Sequence, residues 1–360
     1  MTESRLRAGI TALGAYAPEK VLTNQDLEEI MDTTDEWIRT RTGIRRRHVA
    51  ADDEFTSDLA VSAVQDLVDR HGPQALEGVD LVIVATNTPD ALFPSTAALV
   101  QDRFDLNAGA FDLLAACAGW LYAVSAARAY IESGQCRKVL AIGAEALTKL
   151  VDWQDRSTAV LFGDGAGAAV LEAVPEPYGI RSMVLGADGS GAAHLHMRAV
   201  GRCLPNGEPL SDTLKMNGRE VFKFAVRVMN TATVEALELA GLHSDEISLF
   251  VPHQANLRII EAARERLGLD EERVVVTVDE YGNNSTASIP LALKHALDAG
   301  RIQDGDSLLL VTFGGGLTWA SGVITWYGNA GAGRSKGVPA ATDVDKSPAT
   351  VGEASAEVGG

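Results

Sequence analysis

The chain has 360 residues, 46% of them hydrophobic, which is enough for a large core and suggests about two domains. It contains no long uninterrupted apolar run and no apolar leader behind a basic flank, so we expect a soluble, cytoplasmic protein without membrane contact. A formal net charge of −18 argues against nucleic-acid binding, and an acidic protein partner would need a local basic patch to dock.

Strand-like and helical patterns alternate along the chain. The apolar runs "VDLVIVAT", "RKVLAIGAE", "EISLFVPH" and "DSLLLVTFGGG" alternate with helical patterns such as "STAALVQDRF" and "NLRIIEAARERLG". The segment "GDGAGA" lacks the lysine of a phosphate-binding loop and continues into the apolar "AAVLEAV", which favours a tight strand. This order of elements predicts an α/β fold.

Two stretches of the chain resemble each other. "ACAGWLYAVSAARAYIESG" and "NNSTASIPLALKHALDAG" each combine a small-residue start, an apolar helix and a glycine stop, followed by an apolar strand. Aligning the two terminal glycines places Cys117 on Asn283, and the same offset places Asn87 on His253. The repeat indicates a duplicated architecture, with a site where the two helix starts meet.

We divide the chain accordingly into an N-terminal half, residues 1–178, and a C-terminal half, residues 179–328. From residue 329 onward there is no aromatic residue, leucine or isoleucine. Such a segment buries too little apolar surface to offset the entropy lost on ordering, so residues 329–360 are predicted to form a disordered tail.

The cysteines indicate neither a disulfide framework nor a zinc site. They are odd in number, far apart and without a C-x-x-C pair, which predicts the reduced thiols Cys117, Cys136 and Cys203. The histidines of "HLH", His194 and His196, lack further ligands at suitable spacing, so no metal is assigned.

Cys117 is the candidate nucleophile. A cysteine among alanines is usually a buried small residue. Here, however, Gly119 and a helical pattern follow at once, and a helix N-terminus stabilises a thiolate through its dipole and free N–H groups. That position favours acyl-transfer chemistry.

Such a cysteine needs partners, and the sequence offers His253 and Asn283. His253 ends the apolar strand "LFVPH", at the kind of strand end where α/β sites lie. Asn283 lies in "YGNNSTAS", which taken alone reads as a turn and helix cap. The glycines of "FGGG" allow backbone N–H groups to approach a developing oxyanion.

The motifs "DLLAACAG", "VPHQANLRII", "YGNNSTASIP", "GDGAGAAVL", "FGGGLTWAS" and "TTDEWIRTRTGI" resemble β-ketoacyl-acyl-carrier-protein synthase III, a thiolase-fold condensing enzyme of fatty-acid initiation. The resemblance covers about residues 8 to 327. It implies a duplicated five-layered αβαβα fold, a homodimer and a catalytic triad of Cys117, His253 and Asn283. Trp120 stands where the family often has another aromatic or a smaller residue.

The resemblance also implies a mechanism. Cys117 attacks an acyl-CoA thioester, and the N–H groups of Cys117 and Gly315 form the oxyanion hole. His253 and Asn283 then stabilise the enolate formed when malonyl-acyl-carrier protein loses CO₂, and this carbon attacks the acyl-cysteine. No metal or other cofactor is implied, because acyl-CoA and the carrier protein are substrates.

Further positions match family residues that bind substrate. For CoA these are Trp37, Arg41 and Arg156, which hold the adenine and phosphates, and Gly218 and Phe222, which line the pantetheine tunnel. Arg219 replaces a polar amide common in the family. Phe93 corresponds to a residue that closes the partner's acyl pocket across the dimer. By contrast, we interpret the run Arg45 to Arg47 as solvated charges.

A basic patch for the acidic acyl-carrier protein is predicted at Arg258 and Lys223. Arg258 follows His253 closely and matches the arginine by which the family recognises its carrier, while Lys223 lies near Phe222. Arg264 and Arg266, which are flanked by glutamates, are expected to be ordinary helix charges.

Two other classes of protein do not fit the motifs. A degradative thiolase would need a second cysteine near "FGGGLTWAS", which has none, and a noncatalytic relative would have lost part of the triad. A related ketosynthase or acyltransferase that primes a polyketide or another secondary metabolite keeps the same triad and remains the alternative. The sequence does not specify the primer, because pocket shape separates acyl chains by only ~1–3 kcal/mol per methylene.

Overall fold

The computed structural model describes residues 7–328; the predicted tail, 329–360, lies outside these residues. The strands are β1 Arg7–Tyr16, β2 Val21–Thr23, β3 Arg46–His48, β4 Leu81–Ala85, β5 Gly109–Leu113, β6 Lys138–Glu145, β7 Gly165–Val174, β8 Gly179–Ala187, β9 Leu195–His196, β10 Lys215–Met216, β11 Leu249–Pro252, β12 Ser307–Gly314 and β13 Thr318–Thr325. The helices are α1 Asn24–Glu28, α2 Asp35–Thr42, α3 Thr56–His71, α4 Thr96–Arg103, α5 Gly119–Glu132, α6 Gly218–Ala240, α7 Leu257–Leu267, α8 Val278–Tyr281 and α9 Ser288–Asp298.

Local sequence explains where the predicted elements begin and end. Helix α7 starts after Asn256, whose side chain accepts a hydrogen bond from the N–H of Arg258, and it ends at Gly268 in the left-handed conformation. The segment "GDGAGA" continues into β7, as predicted, rather than into a helix. The four apolar runs form β4, β6, β11 and β12.

Two sheets repeat one strand order. The first is β1-β7-β6-β4-β5 and the second is β8-β13-β12-β11. In the first sheet, β1 and β7 are antiparallel, as are β7 and β6, whereas β6 and β4 are parallel. The second sheet has the same pattern: β8 with β13 and β13 with β12 are antiparallel, and β12 with β11 is parallel. A parallel bridge between Phe250 and Val274 occupies the place that β5 has in the first sheet. The predicted duplication is therefore present.

The sheets and helices form five layers, which confirms the predicted fold. Helices α3 and α4 cover the outer face of the first sheet, and α6 and α7 cover that of the second. Helices α5 and α9 lie between the sheets, where the side chains of Trp120 and Trp326 are fully buried. The chain passes from the first sheet to the second in residues 175–178, where the predicted boundary falls.

The repeat alignment is wrong by three residues at the helix starts. A 3₁₀ turn directly precedes each central helix, Ala116–Ala118 before α5 and Ser285–Ala287 before α9. Because α5 has 14 residues and α9 has 11, aligning their ends by the terminal glycines misaligns their starts by three residues. Cys117 is therefore equivalent to Thr286 rather than to Asn283. The alignment is also wrong by two residues at β4 and β11, where the strand register makes Ala85, rather than Asn87, equivalent to His253.

The interpretation of Arg45 to Arg47 as solvated is wrong for Arg47. Arg45 and Arg46 are exposed, but the Arg47 side chain is fully buried. Its guanidinium donates hydrogen bonds to Leu22 O (3.3 Å), Asn24 Oδ1 (2.9 Å) and Val160 O (2.7 Å). Since these acceptors come from distant segments, Arg47 ties the N-terminal region to the core, and burial lowers its pKa to about 10.

Within residues 7–328, no helix combines the length and apolar character that crossing a membrane requires. Over the same part of the chain, no group of three or more histidine, cysteine, aspartate or glutamate side chains is arranged to hold a metal ion. His196 instead places its Nδ1 atom 3.2 Å from the carbonyl oxygen of Ala193.

Candidate active site

The second half of the chain fixes the turn that carries Cys117. Thr312 Oγ1 on β12 donates a hydrogen bond to Cys117 O (2.9 Å), and Thr318 Oγ1 on β13 donates to Ala115 O (2.9 Å). A Cβ atom at Gly314 would lie 2.5 Å from Cys117 N, so this close approach requires glycine. The predicted nucleophile therefore lies at the junction of the halves.

Burial acts against ionisation of the Cys117 thiol. Burial raises its pKa to about 12, and the charge of Glu145 adds to the shift, whereas the Ser285 hydroxyl lowers it. Cys117 also lies in the 3₁₀ turn, ahead of Gly119, the first residue of α5. Desolvation therefore opposes the thiolate that the helix N-terminus is expected to stabilise, and that stabilisation stays a prediction.

His253 is buried at the end of β11 and held from three sides. Its N–H donates to Val311 O (2.8 Å), and its ring packs edge-on against Phe313 with 5.3 Å between centroids. Its Nδ1 atom lies 2.6 Å from Ser288 Oγ. Burial lowers the pKa of His253 to about 3, so the imidazole is neutral at physiological pH.

The contact with Ser288 assigns the histidine tautomer. Ser288 is buried, and within residues 7–328 Nδ1 of His253 is the one hydrogen-bond partner found for its hydroxyl. Because a buried hydroxyl proton needs an acceptor, we assign it as the donor to Nδ1. The other ring nitrogen, Nε2, then carries a proton and can donate it to a substrate oxygen.

The orientation of the Asn283 amide is also set by the protein. Its Oδ1 atom accepts a hydrogen bond from Ser285 N (2.9 Å), and its backbone pairs with the 161–163 loop. The Nδ2 group has no hydrogen-bond acceptor among the described residues. Asn283 thus presents a donor, as the neutral His253 ring does.

The predicted oxyanion hole has the required donors. Cys117 lies in the turn against Gly314, and Gly315 follows in the bend between β12 and β13. In the turns and loops of residues 7–328, neither the N–H of Cys117 nor that of Gly315 donates to a backbone carbonyl. Both groups can therefore bind a developing oxyanion.

The structure brings the three residues predicted for the adenine and phosphates together. The guanidinium carbons of Arg41 and Arg156 lie 4.6 Å and 4.9 Å from the Trp37 ring centroid. Arg156 also donates to Asp32 O (2.7 Å). An aromatic ring between two cations can stack a base while the cations face phosphates.

The residues predicted for the tunnel and for carrier docking lie close together. Gly218 is the first residue of α6, and Phe222 is half-buried one turn later. The Arg258 guanidinium carbon lies 5.4 Å from the Phe222 ring centroid. Lys223 is exposed but forms an ion pair with Glu220 (2.7 Å), so its charge is partly compensated.

Phe93 lies far outside the core. It is 85% exposed and borders Leu92, which is 76% exposed. In a single copy of the chain, Phe93 closes no pocket.

The sequence reading missed Ser288 and Glu145 as parts of the site. Ser288 stands in the quoted motif "YGNNSTASIP", five residues after Asn283, where one helical turn brings it under His253. Glu145 ends the apolar run "VLAIGAE", and a carboxylate at the end of a buried strand was the available signal.

The duplicated layers, with both central helices starting at the junction of the halves, are those of the thiolase-fold condensing enzymes. Two family models, 3-oxoacyl-[acyl-carrier-protein] synthase III and its C-terminal part, match residues 111–189 and 237–326. A β-ketoacyl-[acyl-carrier-protein] synthase III from Deinococcus deserti is 54% identical over 91% of this chain and 93% of its own. The chain belongs to the β-ketoacyl-acyl-carrier-protein synthase III family.

Solved structures agree with this assignment. The synthase III from Thermus thermophilus is 68% identical, with a TM-score of 0.88 over 89% of this chain and 99% of that one. A priming β-ketosynthase from the R1128 polyketide pathway is 38% identical, with a TM-score of 0.82 over 91% of this chain and 99% of that one. The polyketide alternative is therefore not favoured.

We predict that Ser288→Ala slows condensation about tenfold, since the His253 tautomer loses a hydrogen bond of roughly 1 kcal/mol. Self-acylation by an acyl-CoA should change much less. The measurement is the rate of CO₂ release from malonyl-carrier protein. Ser321→Ala is the control, because this buried hydroxyl donates to Leu310 O (2.8 Å) away from His253. If Ser288→Ala and Ser321→Ala slow CO₂ release equally, the tautomer assignment is contradicted.

Proposed function

We propose that this protein condenses an acyl-CoA primer with malonyl-acyl-carrier protein to give β-ketoacyl-acyl-carrier protein, initiating fatty-acid synthesis. The proposal is supported by the packing of the Ala116–Ala118 turn, which carries Cys117, on the Ser285–Ala287 turn next to Asn283, and by the contact of the following Ser288 with His253. The chain is also 54% identical to a relative of that name. The cytoplasmic location and the lack of a cofactor stay predictions.

In the first half-reaction, the sulfur of Cys117 attacks the thioester carbonyl of the acyl-CoA. The tetrahedral oxyanion receives hydrogen bonds from the N–H groups of Cys117 and Gly315. When the C–S bond to CoA breaks, the departing sulfur takes up a proton, replacing the one lost by the thiol. Trp37, Arg41 and Arg156 hold the nucleotide end and so position the thioester.

In the second half-reaction, malonyl-carrier protein binds with its thioester carbonyl facing His253 Nε2 and Asn283 Nδ2. Two neutral donors stabilise the enolate that forms as CO₂ leaves. The enolate carbon attacks the acyl-cysteine, and the released sulfur of Cys117 takes up a proton. The low pKa of His253 keeps its ring neutral, and the contact with Ser288 keeps Nε2 protonated.

The two half-reactions test the triad separately. Cys117→Ala should form no acyl-enzyme with any acyl-CoA primer by mass spectrometry, whereas the control Cys136→Ala should still form it. His253→Ala and Asn283→Ala should each slow CO₂ release from malonyl-carrier protein about 100-fold or more, because each removes an enolate donor. Self-acylation should fall less than about tenfold, in line with one lost hydrogen bond.

An acyl adduct on Cys136 or Cys203 would contradict the assignment of Cys117. Equal loss of both half-reactions would contradict the roles of His253 and Asn283. Running the assay over a panel of primers also identifies the preferred acyl group. If the acyl-enzyme does not react with malonyl-carrier protein but transfers its acyl group to another acceptor, the secondary-metabolism alternative is supported.

Carrier docking is proposed at Arg258. This side chain is exposed at the start of α7 and packs on Phe222, one of the proposed pantetheine contacts. With a net charge of −18, the protein repels an acidic carrier at long range, so a cation here would act on association. Lys223 should contribute less, because Glu220 neutralises it.

We predict that Arg258→Glu lowers kcat/KM for malonyl-carrier protein about tenfold at low salt, and that the difference from wild type shrinks at high salt. Acylation by acyl-CoA should change much less. Arg266→Glu is the matched control, since Arg266 is an exposed arginine of the same helix. Equal impairment of both substrates, or no effect at low salt, would overturn the docking assignment.

We also propose a homodimer. Leu92, Phe93 and Leu114 are 76%, 85% and 77% exposed, and β5, next to Leu114, is the edge strand of the first sheet. A second copy would cover these side chains and place Phe93 against the partner's acyl pocket. Analytical ultracentrifugation of the full chain should give a dimer, and a monomer at micromolar concentration would contradict the proposal.

A further inference from the structure

The turn that follows Asn283 is held by the first half of the chain. This 3₁₀ turn, Ser285–Ala287, precedes α9 and is buried. The hydroxyl of Thr286 lies 3.1 Å from Ala85 O, at the end of β4, and 3.3 Å from Glu145 Oε1, at the end of β6. The position of the turn therefore depends on residues that lie far away in the sequence.

Ser285 links the first half to the Asn283 side chain. Its Oγ atom accepts a hydrogen bond from Asn87 Nδ2 (3.2 Å), and its backbone N–H donates to Asn283 Oδ1 (2.9 Å). Ser285 has a φ of +49°, a left-handed conformation that costs energy in a non-glycine residue and persists only where surrounding contacts hold it. The direction of its N–H, and with it the orientation of the Asn283 amide, thus depends on what holds the Ser285 side chain.

Glu145 sets the orientation of the Asn87 amide. The Glu145 side chain is fully buried, and its carboxylate accepts hydrogen bonds from Asn87 N (3.2 Å), Thr88 Oγ1 (3.1 Å) and the side-chain amide of Asn87. Because carboxylate oxygens accept hydrogen bonds, Asn87 turns Nδ2 rather than Oδ1 toward Glu145. The same amide group is then directed at Ser285 Oγ.

We propose that Asn87 is a positioning residue for malonyl decarboxylation: held by Glu145, it fixes Ser285 in the conformation whose N–H orients the Asn283 amide. The inference rests on the proposed function, in which Asn283 Nδ2 donates to the enolate oxygen. The side-chain bonds of Asn87 go to Glu145 and Ser285, so Asn87 acts on the reaction through Asn283. The second half holds the nucleophile turn, and the first half holds the turn of the enolate donor.

The first test compares the two half-reactions in Asn87→Ala. An Asn283 amide that is no longer held in one orientation should lower kcat for CO₂ release from malonyl-carrier protein about tenfold, in line with one lost hydrogen bond. The KM for malonyl-carrier protein should change much less. Self-acylation by an acyl-CoA should change less than about twofold, because it does not use the Asn283 donor, and it shows that the variant is folded. Equal loss of both half-reactions would overturn the proposal.

A double-mutant cycle with Asn283→Ala separates positioning from a merely structural role. If Asn87 acts through Asn283, adding Asn87→Ala to Asn283→Ala should cause no further loss, and the two variants should release CO₂ at rates within about twofold of each other. A further tenfold fall in the double variant would overturn the proposal. An unchanged rate in Asn87→Ala alone would do the same.

Asn230→Ala is the matched control. Asn230 is half-buried on α6, two turns beyond Phe222, and its Nδ2 atom donates to Val226 O (2.8 Å). The variant loses an amide hydrogen bond without touching the turn after Asn283, so CO₂ release should stay near the wild-type rate. A fall equal to that in Asn87→Ala would contradict a specific role of Asn87.

Ser285→Ala keeps the inference testable if Asn87→Ala does not fold. It removes the acceptor of the Asn87 amide and should cause the same selective loss of CO₂ release, whereas a wild-type rate would contradict the link through Ser285.

A crystal structure of Asn87→Ala gives a readout that needs no substrate. The hydrogen bond between Ser285 N and Asn283 Oδ1 should be broken, or the Asn283 amide should occupy more than one orientation. An amide held as in the wild type would overturn the proposal. A wild-type protein that releases no CO₂ from malonyl-carrier protein would refute the proposed function, while the crystal structure would still decide this inference.

Discussion

The packing of the Cys117 turn on Gly314 is the contact on which the rest of the site depends. The turn belongs to the first half and the glycine to the second, and a single added methyl group would lie 2.5 Å from Cys117 N. Two threonine hydroxyls, from β12 and β13, hold the turn there. This contact joins the two halves at the Cys117 turn, where burial raises the pKa of the thiol.

The duplication supplies one catalytic side and one supporting side. Where the second half has Gly314 under the nucleophile turn, the first half has Glu145 under the Ser285–Ala287 turn. Where His253 follows β11 in the second half, the first half has Ala85 at the end of β4, and Asn87, two residues further on, binds Glu145. The first half thus supports the turn of Asn283, one of the proposed donors to substrate.

Charge is distributed in opposite ways at the centre and at the surface. Burial opposes a charge on both the thiol and the imidazole of the candidate triad, since it raises the pKa of Cys117 and lowers that of His253. The cations proposed to meet substrate, Arg41, Arg156 and Arg258, are exposed and packed on Trp37 or Phe222. Substrates would thus be attracted at the rim, and the chemistry would proceed in a dry interior.

The sequence by itself determined the alternation of strands and helices, the duplication and the candidate triad, because apolar periodicity, glycine stops and catalytic motifs are local signals. Only the tertiary structure decided the pKa of Cys117, the tautomer of His253 and the burial of Arg47. Each depends on groups distant in sequence: Thr312 and Gly314, which pack on the Cys117 turn, Ser288 for His253, and Val160 for Arg47. Desolvation and hydrogen-bond geometry arise when such segments pack together, and no local pattern records them.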